Sequence, residues 1–216
     1  MKVLHESEDL QDEIFDLNSL YEMAFMVAEA FIYSDPMAIV QGFYDEEFAN
    51  YIKLLGSWAQ REELTVIARD KHSDKVIGAI IAADFASVSP LNIENISDKF
   101  KPVFELLEEL ETRYKQGKDI RLGKYLHCYM LAVSPQRRGQ KVAQNLIQAC
   151  LKNGTSKGYT TAVTEAANSI SQQVFTKCGF VARDEILYKQ FTYEGVHVFA
   201  SIDGHTGTIL MDKTLV

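Results

Sequence analysis

Apolar positions fall close to helical spacing along residues 18–33, where Leu20, Met23, Phe25, Val27, Ala30 and Phe31 lead into Ser34-Asp35-Pro36. The pattern predicts a helix that stops there, because the residue before a proline is pushed out of helical dihedrals. A second helix is expected over 44–58. Two β-rich runs follow, ELTVIARD at 63–70 and VIGAIIAADF at 76–85, joined by the turn-like KHSDK, and they read as a hairpin. Helical periodicity returns over 99–116 after an Asn-Ile-Ser-Asp start, and this helix has room to be an insertion, near 99–117, over one face.

The second half alternates. KYLHCYMLAV (124–133) reads as a strand, and KVAQNLIQACLK (141–152) as a helix with Val142, Leu146, Ala149 and Cys150 on one stripe. Punctuation around 154–158 ends that helix and YTTAVTEA (159–166) returns as strand. Asn168 can cap a third helix, SISQQVFTK, which Cys178 and Gly179 stop. The remainder, FVARDEILYKQFTY, HVFASI and TGTILMDKTLV, reads as strand to the end. Strand, helix, strand, helix, strand in this order requires crossovers, so part of the sheet is parallel and the class is mixed α/β. No repeat or Pro/Gly-rich linker interrupts the chain, and a single domain over 1–216 is expected.

Composition changes this picture at three points. The 216 residues are 47% hydrophobic and 24% charged, which are globular proportions. Three cysteines, Cys128, Cys150 and Cys178, sit apart in apolar segments and make neither a disulfide framework nor a metal knuckle. With an N-terminus unlike a signal peptide and no long apolar window, a cytoplasmic protein without membrane or metal is expected. The net charge of −8 argues against binding nucleic acid. The charge is also uneven: residues 1–63 hold 3 Lys/Arg against 14 Asp/Glu, whereas residues 124–158 hold Lys124, Arg137, Arg138, Lys141, Lys152 and Lys157 with no carboxylate. A basic segment inside an acidic chain suggests a local anion site, and the acidic lobe suggests a cationic second ligand; two solvated faces remain the plain alternative.

The anion site has an address. In VSPQRRGQKVA (133–143) a strand passes through Pro135 and Gly139 directly into an amphipathic helix. Such a junction aims the free N–H groups of the first turn at one point, which suits a phosphate, and Arg137, Arg138 and Lys141 add charged donors. The stretch is neither a GxxxxGK[ST] loop nor a GxGxxG fingerprint, so an ATPase or a nicotinamide-dependent enzyme fits poorly.

These residues resemble those of the GCN5-related N-acetyltransferase (GNAT) superfamily, over roughly residues 15–213. The resemblance implies the GNAT fold and an acetyl-CoA loop of the form Q/R-x-x-G-x-G/A after a strand ending in Leu131, Ala132 and Val133. Arg138, Gly139, Gln140, Lys141, Val142 and Ala143 occupy that loop. Lys141 stands where the middle glycine usually sits, and a lysine can take helical dihedrals at a first-turn position. The second family block, an Asn followed by a helix ending in Gly-Phe, is matched by Asn168, Ser171, Phe175, Lys177, Gly179 and Phe180. Within the superfamily the chain is most similar to arylalkylamine N-acetyltransferases and their bacterial relatives, through Phe31, Ser34, Asp35, Pro36 and Met37 and through the Ser171–Phe175 helix.

Acyl transfer from a thioester needs a neutral amine, a polarised carbonyl and a protonated leaving thiolate. Because an alkylamine has a pKa of about 10.4, a base must take its proton after binding. The resemblance implies Asp35 as that base, as in insect-type relatives, although the same carboxylate could simply close a turn. His127 and Tyr129 stand at the positions of the two relay histidines of vertebrate relatives, Tyr129 departing from that pattern, and by strand alternation they share a face with Leu131. The family's usual acid, a tyrosine, is replaced by Phe175, which leaves Ser171 as a candidate to bind or protonate the thiolate. The expected partners are acetyl-CoA and a cationic small amine, with the protein a monomer or homodimer. A protein or peptide N-acetyltransferase and a non-catalytic acyl-CoA-binding sensor are the rival readings.

Overall fold

The computed structural model describes residues 2–87 and 96–215. Eight strands form one sheet: β1 (Val3–Glu6), β2 (Leu10–Ile14), β3 (Val66–Asp70), β4 (Val76–Asp84), β5 (Tyr125–Val133), β6 (Thr161–Ala166), β7 (Val181–Leu187) and β8 (Gly207–Thr214). Their order is β1-β2-β3-β4-β5-β6-β8-β7, with β5 and β6 parallel and every other pair antiparallel. One face carries α1 (Leu20–Ile32), α2 (Pro36–Val40), α3 (Asp45–Glu62) and α4 (Lys101–Lys115); the other carries α5 (Val142–Ser156) and α6 (Ser169–Lys177). β4 is buried along its whole length, as expected of a strand covered on both faces. No helix among the described residues is long and apolar enough to cross a membrane.

The expected hairpin is β3–β4, and the helices over 18–33, 44–58 and 169–177 form with modest shifts of their ends. Four elements differ. Residues 3–14, where the pattern predicts no element, form the β1–β2 hairpin, whose partly exposed strands give little apolar alternation to read. The helix expected over 99–116 forms as α4 and lies over one face as expected; what differs is how deeply it is built in, since Leu106, Leu110 and Tyr114 close a core over Val163 of β6 and Leu210 of β8. The α5 helix runs on through Gly154, because the missing side chain there admits Leu126; a Cβ would come to 2.7 Å of Leu126 Cδ2.

The fourth difference lies near the C-terminal end. Residues 180–202 are strand only as far as Leu187, and HVFASI is a run of turns. Its apolar residues serve a different purpose from strand pairing. Tyr188, Phe191, Phe199 and Ile202 plug the core beneath α4, while left-handed Glu194 and Gly195 lie between Phe191 and Phe199 and left-handed Gly204 follows Ile202.

Two details of β5 position the site. It pairs with β6 only through Tyr125↔Thr161, Leu126↔Ala162 and His127↔Val163; beyond that the ladder between the two parallel strands stops, and the Cys128 carbonyl accepts from Thr164 Oγ1 at 2.9 Å. Its register against β4 also slips, Ile81 facing Met130 but Ala82 facing Cys128, so that Tyr129 is an extra residue. Such a bulge inverts the side-chain parity. His127 and Tyr129 therefore lie on the α1–α4 face together with Met130 and Ala132, whereas Leu131 joins the core under α5. The expected sharing of a face by Leu131 with His127 and Tyr129 fails for this reason.

Candidate active site

A cleft of about 720 Å³ passes through the gap between β5 and β6. Its basic end is the turn from β5 into α5. Ser134 N–H donates to the Ile77 carbonyl at 2.8 Å, Pro135–Arg137 make one 3-10 turn, and Gly139 and Lys141 take left-handed dihedrals, φ 80° and 62°, before α5 begins at Val142. Lys141 is thus the N-cap in a conformation that favours glycine, not the helical residue expected for it. The first-turn N–H groups of α5, free of intrahelical partners by geometry, belong to residues on the cleft wall, as do Arg138, Gly139 and Lys141; Gln140 does not line it. Arg137 is anchored by an ion pair to the buried Asp70. Asp70 is itself held below the usual carboxylate range by hydrogen bonds from Ser73 and by this guanidinium. Arg138 and Lys141 remain the exposed charges at this end. Helix α5 sits close because β4 has Gly78 beneath it, where a Cβ would meet Leu146 Cδ1 at 2.9 Å and Val142 Cγ1 at 3.1 Å.

The middle of the cleft is formed by Leu131, Ala132 and Val133 on β5 and by Asn168, Ser171 and Phe175 on the α6 side. Asn168 Oδ1 accepts from Ser171 N–H at 2.9 Å and Ser171 Oγ accepts from Asn168 N–H at 3.3 Å, a reciprocal cap, while the Ser171 hydroxyl donates to the Asn168 carbonyl at 2.8 Å. The Ser171 hydroxyl is thereby already engaged. Phe175 is buried edge-on against Phe180 and offers no proton.

The far end is aromatic and acidic. Phe31, Phe48, Phe100 and Phe104 form its wall with Tyr51 and Tyr129, whose hydroxyls hydrogen-bond each other. Burial pushes the Tyr129 hydroxyl up to about 12 and Tyr51 higher than usual, so both stay protonated near neutrality. Asp35 caps α2, its Oδ1 accepting from Ala38 N–H at 2.9 Å, and also lines the cleft. Burial raises its pKa to about 6, against the opposing pull of the Ala38 and Met37 N–H groups. A carboxylate that titrates there is suited to accept a proton near neutral pH.

His127 does not line the cleft. Its Nε2 lies 2.6 Å from Glu165 Oε2, and Glu165, on β6, does line it. Burial would lower the imidazole pKa, but the Glu165 carboxylate, with Glu111 behind it, raises it above the ordinary value and favours imidazolium. Glu111, His127 and Glu165 bring ligand atoms within 4.8 Å of one another and form the one trio among the described residues close enough to hold a metal ion. Lys115 Nζ, 2.6 Å from Glu111 Oε2, already supplies a positive charge to the group.

Asp35, Tyr129 and Ser171 are thus brought to one cleft with the phosphate turn, while His127 stands behind Glu165. Sequence reasoning missed Glu165, Tyr51 and the phenylalanine wall. Glu165 had a signal, a carboxylate inside the otherwise apolar and hydroxyl-bearing strand TAVTEA; Tyr51 on α3 had none.

The family pattern described as "Acetyltransferase (GNAT) family" matches residues 24–180. Solved structures share the fold at low identity. The C-terminal condensation domain of Ebony in complex with beta-alanyl-dopamine has a TM-score of 0.87 at 15% identity, covering 95% of this chain and 98% of that one. Arylalkylamine N-acetyltransferase 2 from Aedes aegypti has 0.78 at 17%, covering 96% and 99%. Polyamine N-acetyltransferase of Drosophila melanogaster, described as forming N-acetylagmatine, has 0.76 at 16%, covering 96% and 100%.

Proposed function

Because the chain belongs to the acetyltransferase (GNAT) family, we propose that it transfers the acetyl group of acetyl-CoA directly to the primary amine of a small cationic acceptor, within a ternary complex. The observation that carries this reading is the segregation of charge along one cleft. Its lining cations, Arg137, Arg138, Lys141 and Lys177, belong to the phosphate turn and α6, and its lining anions, Asp35 and Glu165, to α2 and β6. A ligand with phosphates at one end and a thioester at the other, meeting an ammonium, matches that order. The resemblance to arylalkylamine acetyltransferases and the aromatic wall favour an acceptor with an apolar body.

In the proposed reaction the bound ammonium loses a proton to the Asp35 carboxylate. The freed nitrogen attacks the thioester carbon, the C–N bond forms, and the C–S bond breaks. The amide nitrogen sheds its second proton, CoA leaves as a thiolate that takes up one proton, and one proton passes to solvent. Beyond the end of its ladder with β6, β5 offers backbone donors for the carbonyl oxygen.

The test is release of free CoA from acetyl-CoA with a panel of arylalkyl, alkyl and guanidino amines. A thiol reagent can report it, because Cys128, Cys150 and Cys178 are buried. Amine-dependent release supports the reading. Turnover confined to peptide N-termini or lysines replaces it with a protein or peptide acetyltransferase. The non-catalytic sensor draws support from Phe175 and from the engagement of Ser171 in the cap, and CoA binding with no release across amines and peptides establishes it instead.

A further inference from the structure

We propose that Glu165 is the seat of the acceptor's ammonium, a specificity-determining residue held in place by His127; this rests on the acetyl-transfer reading above. A carboxylate is costly inside a sheet. The Glu165 side chain is 3% exposed, and a buried carboxylate persists only where hydrogen bonds and opposite charge replace water. Its Oε2 has His127 at 2.6 Å. Its Oε1 is buried and has no hydrogen-bond partner among the described residues. An orphan oxygen of this kind asks for a donor, and a cationic donor makes the strongest hydrogen bond available to it.

The surroundings say which side the donor comes from. Lys115, Glu111, His127 and Glu165 form a row of alternating charge that runs from α4 through β5 to β6, with links of 2.6 Å from Lys115 to Glu111 and from His127 to Glu165. Glu165 is the member of that row that lines the cleft. The next positive charge in the alternation is therefore a ligand's. The same cleft is lined by the rings of Phe31, Phe48, Tyr51, Phe100, Phe104 and Tyr129, and aromatic rings favour a cation over a neutral head group.

Two carboxylates then divide the work. Asp35, whose burial already favours its protonated form, is suited to receive a proton and poorly suited to hold a full positive charge. Glu165, ion-paired with His127 through Oε2 and left without a partner among the described residues at Oε1 on the cleft wall, is suited to bind. His127 acts only through Glu165 and is a positioning residue.

Glu165→Gln keeps size and the contact with His127 and removes the charge. With phenethylamine, cationic at neutral pH, KM is expected to rise 10-fold to 100-fold while kcat changes less than 3-fold and acetyl-CoA affinity is unchanged. With O-benzylhydroxylamine, neutral at the same pH and of similar shape, KM should change less than 3-fold. An equal penalty for both acceptors, or none for phenethylamine, overturns the proposal. His127→Gln should show the same selectivity for the cation with a smaller factor.

A measurement on intact Glu165 guards against a variant that misfolds. In Asp35→Asn, which keeps the α2 cap, N,N-dimethylphenethylamine should still bind at least 10-fold tighter than 2-phenylethanol by calorimetry with CoA present. Loss of that preference would move the seat to Asp35. If the wild type releases no CoA with any acceptor, the acetyl-transfer reading fails by itself, and the same binding comparison still decides whether Glu165 holds a cation.

Discussion

Lys141 is a lysine where the backbone asks for glycine, and the size of that conflict can be worked out. Its φ of 62° and ψ of 10° lie in the left-handed region, and its side chain is exposed. For an L-residue this conformation costs roughly 1–2 kcal/mol, which glycine does not pay. Against this, glycine adds about 0.4–1 kcal/mol of conformational freedom to the unfolded chain. The difference leaves Lys141→Gly about 0.5–1 kcal/mol more stable than Lys141→Ala, which keeps the Cβ and the strain but equally lacks the ammonium. For a chain of this length that corresponds to a Tm higher by about 1–4 °C. Urea midpoints and Tm of the two variants without ligand check the backbone effect, and acetyl-CoA titration of the same pair separates backbone from charge. If the ammonium reaches a phosphate, both variants bind acetyl-CoA more weakly than wild type and lose part of its salt dependence. A glycine variant no more stable than the alanine variant would refute the strain argument.

Asp35→Asn should leave the acetyl-CoA dissociation constant unchanged and lower kcat/KM by on the order of 10²-fold to 10⁴-fold, as loss of a general base does; in the wild type, kcat/KM should fall as the pH drops below about 6, where Asp35 takes up its proton. The same raised pKa means that the folded state binds the proton more tightly than the unfolded chain. The stability this contributes is present below about pH 4 and lost as the pH rises through about 6. Asp35→Asn should flatten that part of the denaturation profile. Arg138→Glu should abolish the rise in Tm that acetyl-CoA produces in the wild type, while ATP and NAD produce none in either protein; an unchanged shift would remove Arg138 from the phosphate end. Gly78→Ala should destabilise the fold by about 1–3 kcal/mol and weaken acetyl-CoA binding, because a Cβ 2.9 Å from Leu146 Cδ1 pushes α5 and its N-terminal turn off the sheet. Unchanged affinity in a folded Gly78→Ala protein would show that the turn does not depend on this packing.

The parts of the site that the sequence made legible are those built from neighbours in the chain. The phosphate turn is eleven consecutive residues, VSPQRRGQKVA, and the Asn168 cap with Ser171 needs only one helical turn. Local chemistry of that kind survives folding unchanged, which is why the strand–turn–helix junction stands where it was expected. Even there, one dihedral escaped: nothing local distinguishes a lysine at the first turn of α5 from one at its left-handed cap.

The acceptor end is different, because it is assembled by pairing. Tyr51 meets Tyr129 across 78 positions and His127 meets Glu165 across 38. Strand alternation correctly put His127 and Tyr129 on one face, but the bulge at Tyr129 decides what lies beyond them, and a bulge is a property of two strands together. It carries Met130 and Ala132 onto the α1–α4 face and Leu131 to the other. The end of the β5–β6 ladder past His127 and Val163 is likewise invisible in either strand alone. It opens the path by which Glu165, two residues further along β6, comes to line the cleft while its neighbour His127 stays behind it. The histidine suggested as a relay from its own position in the sequence thus lies, in the fold, behind a carboxylate, its Nε2 2.6 Å from Glu165 Oε2.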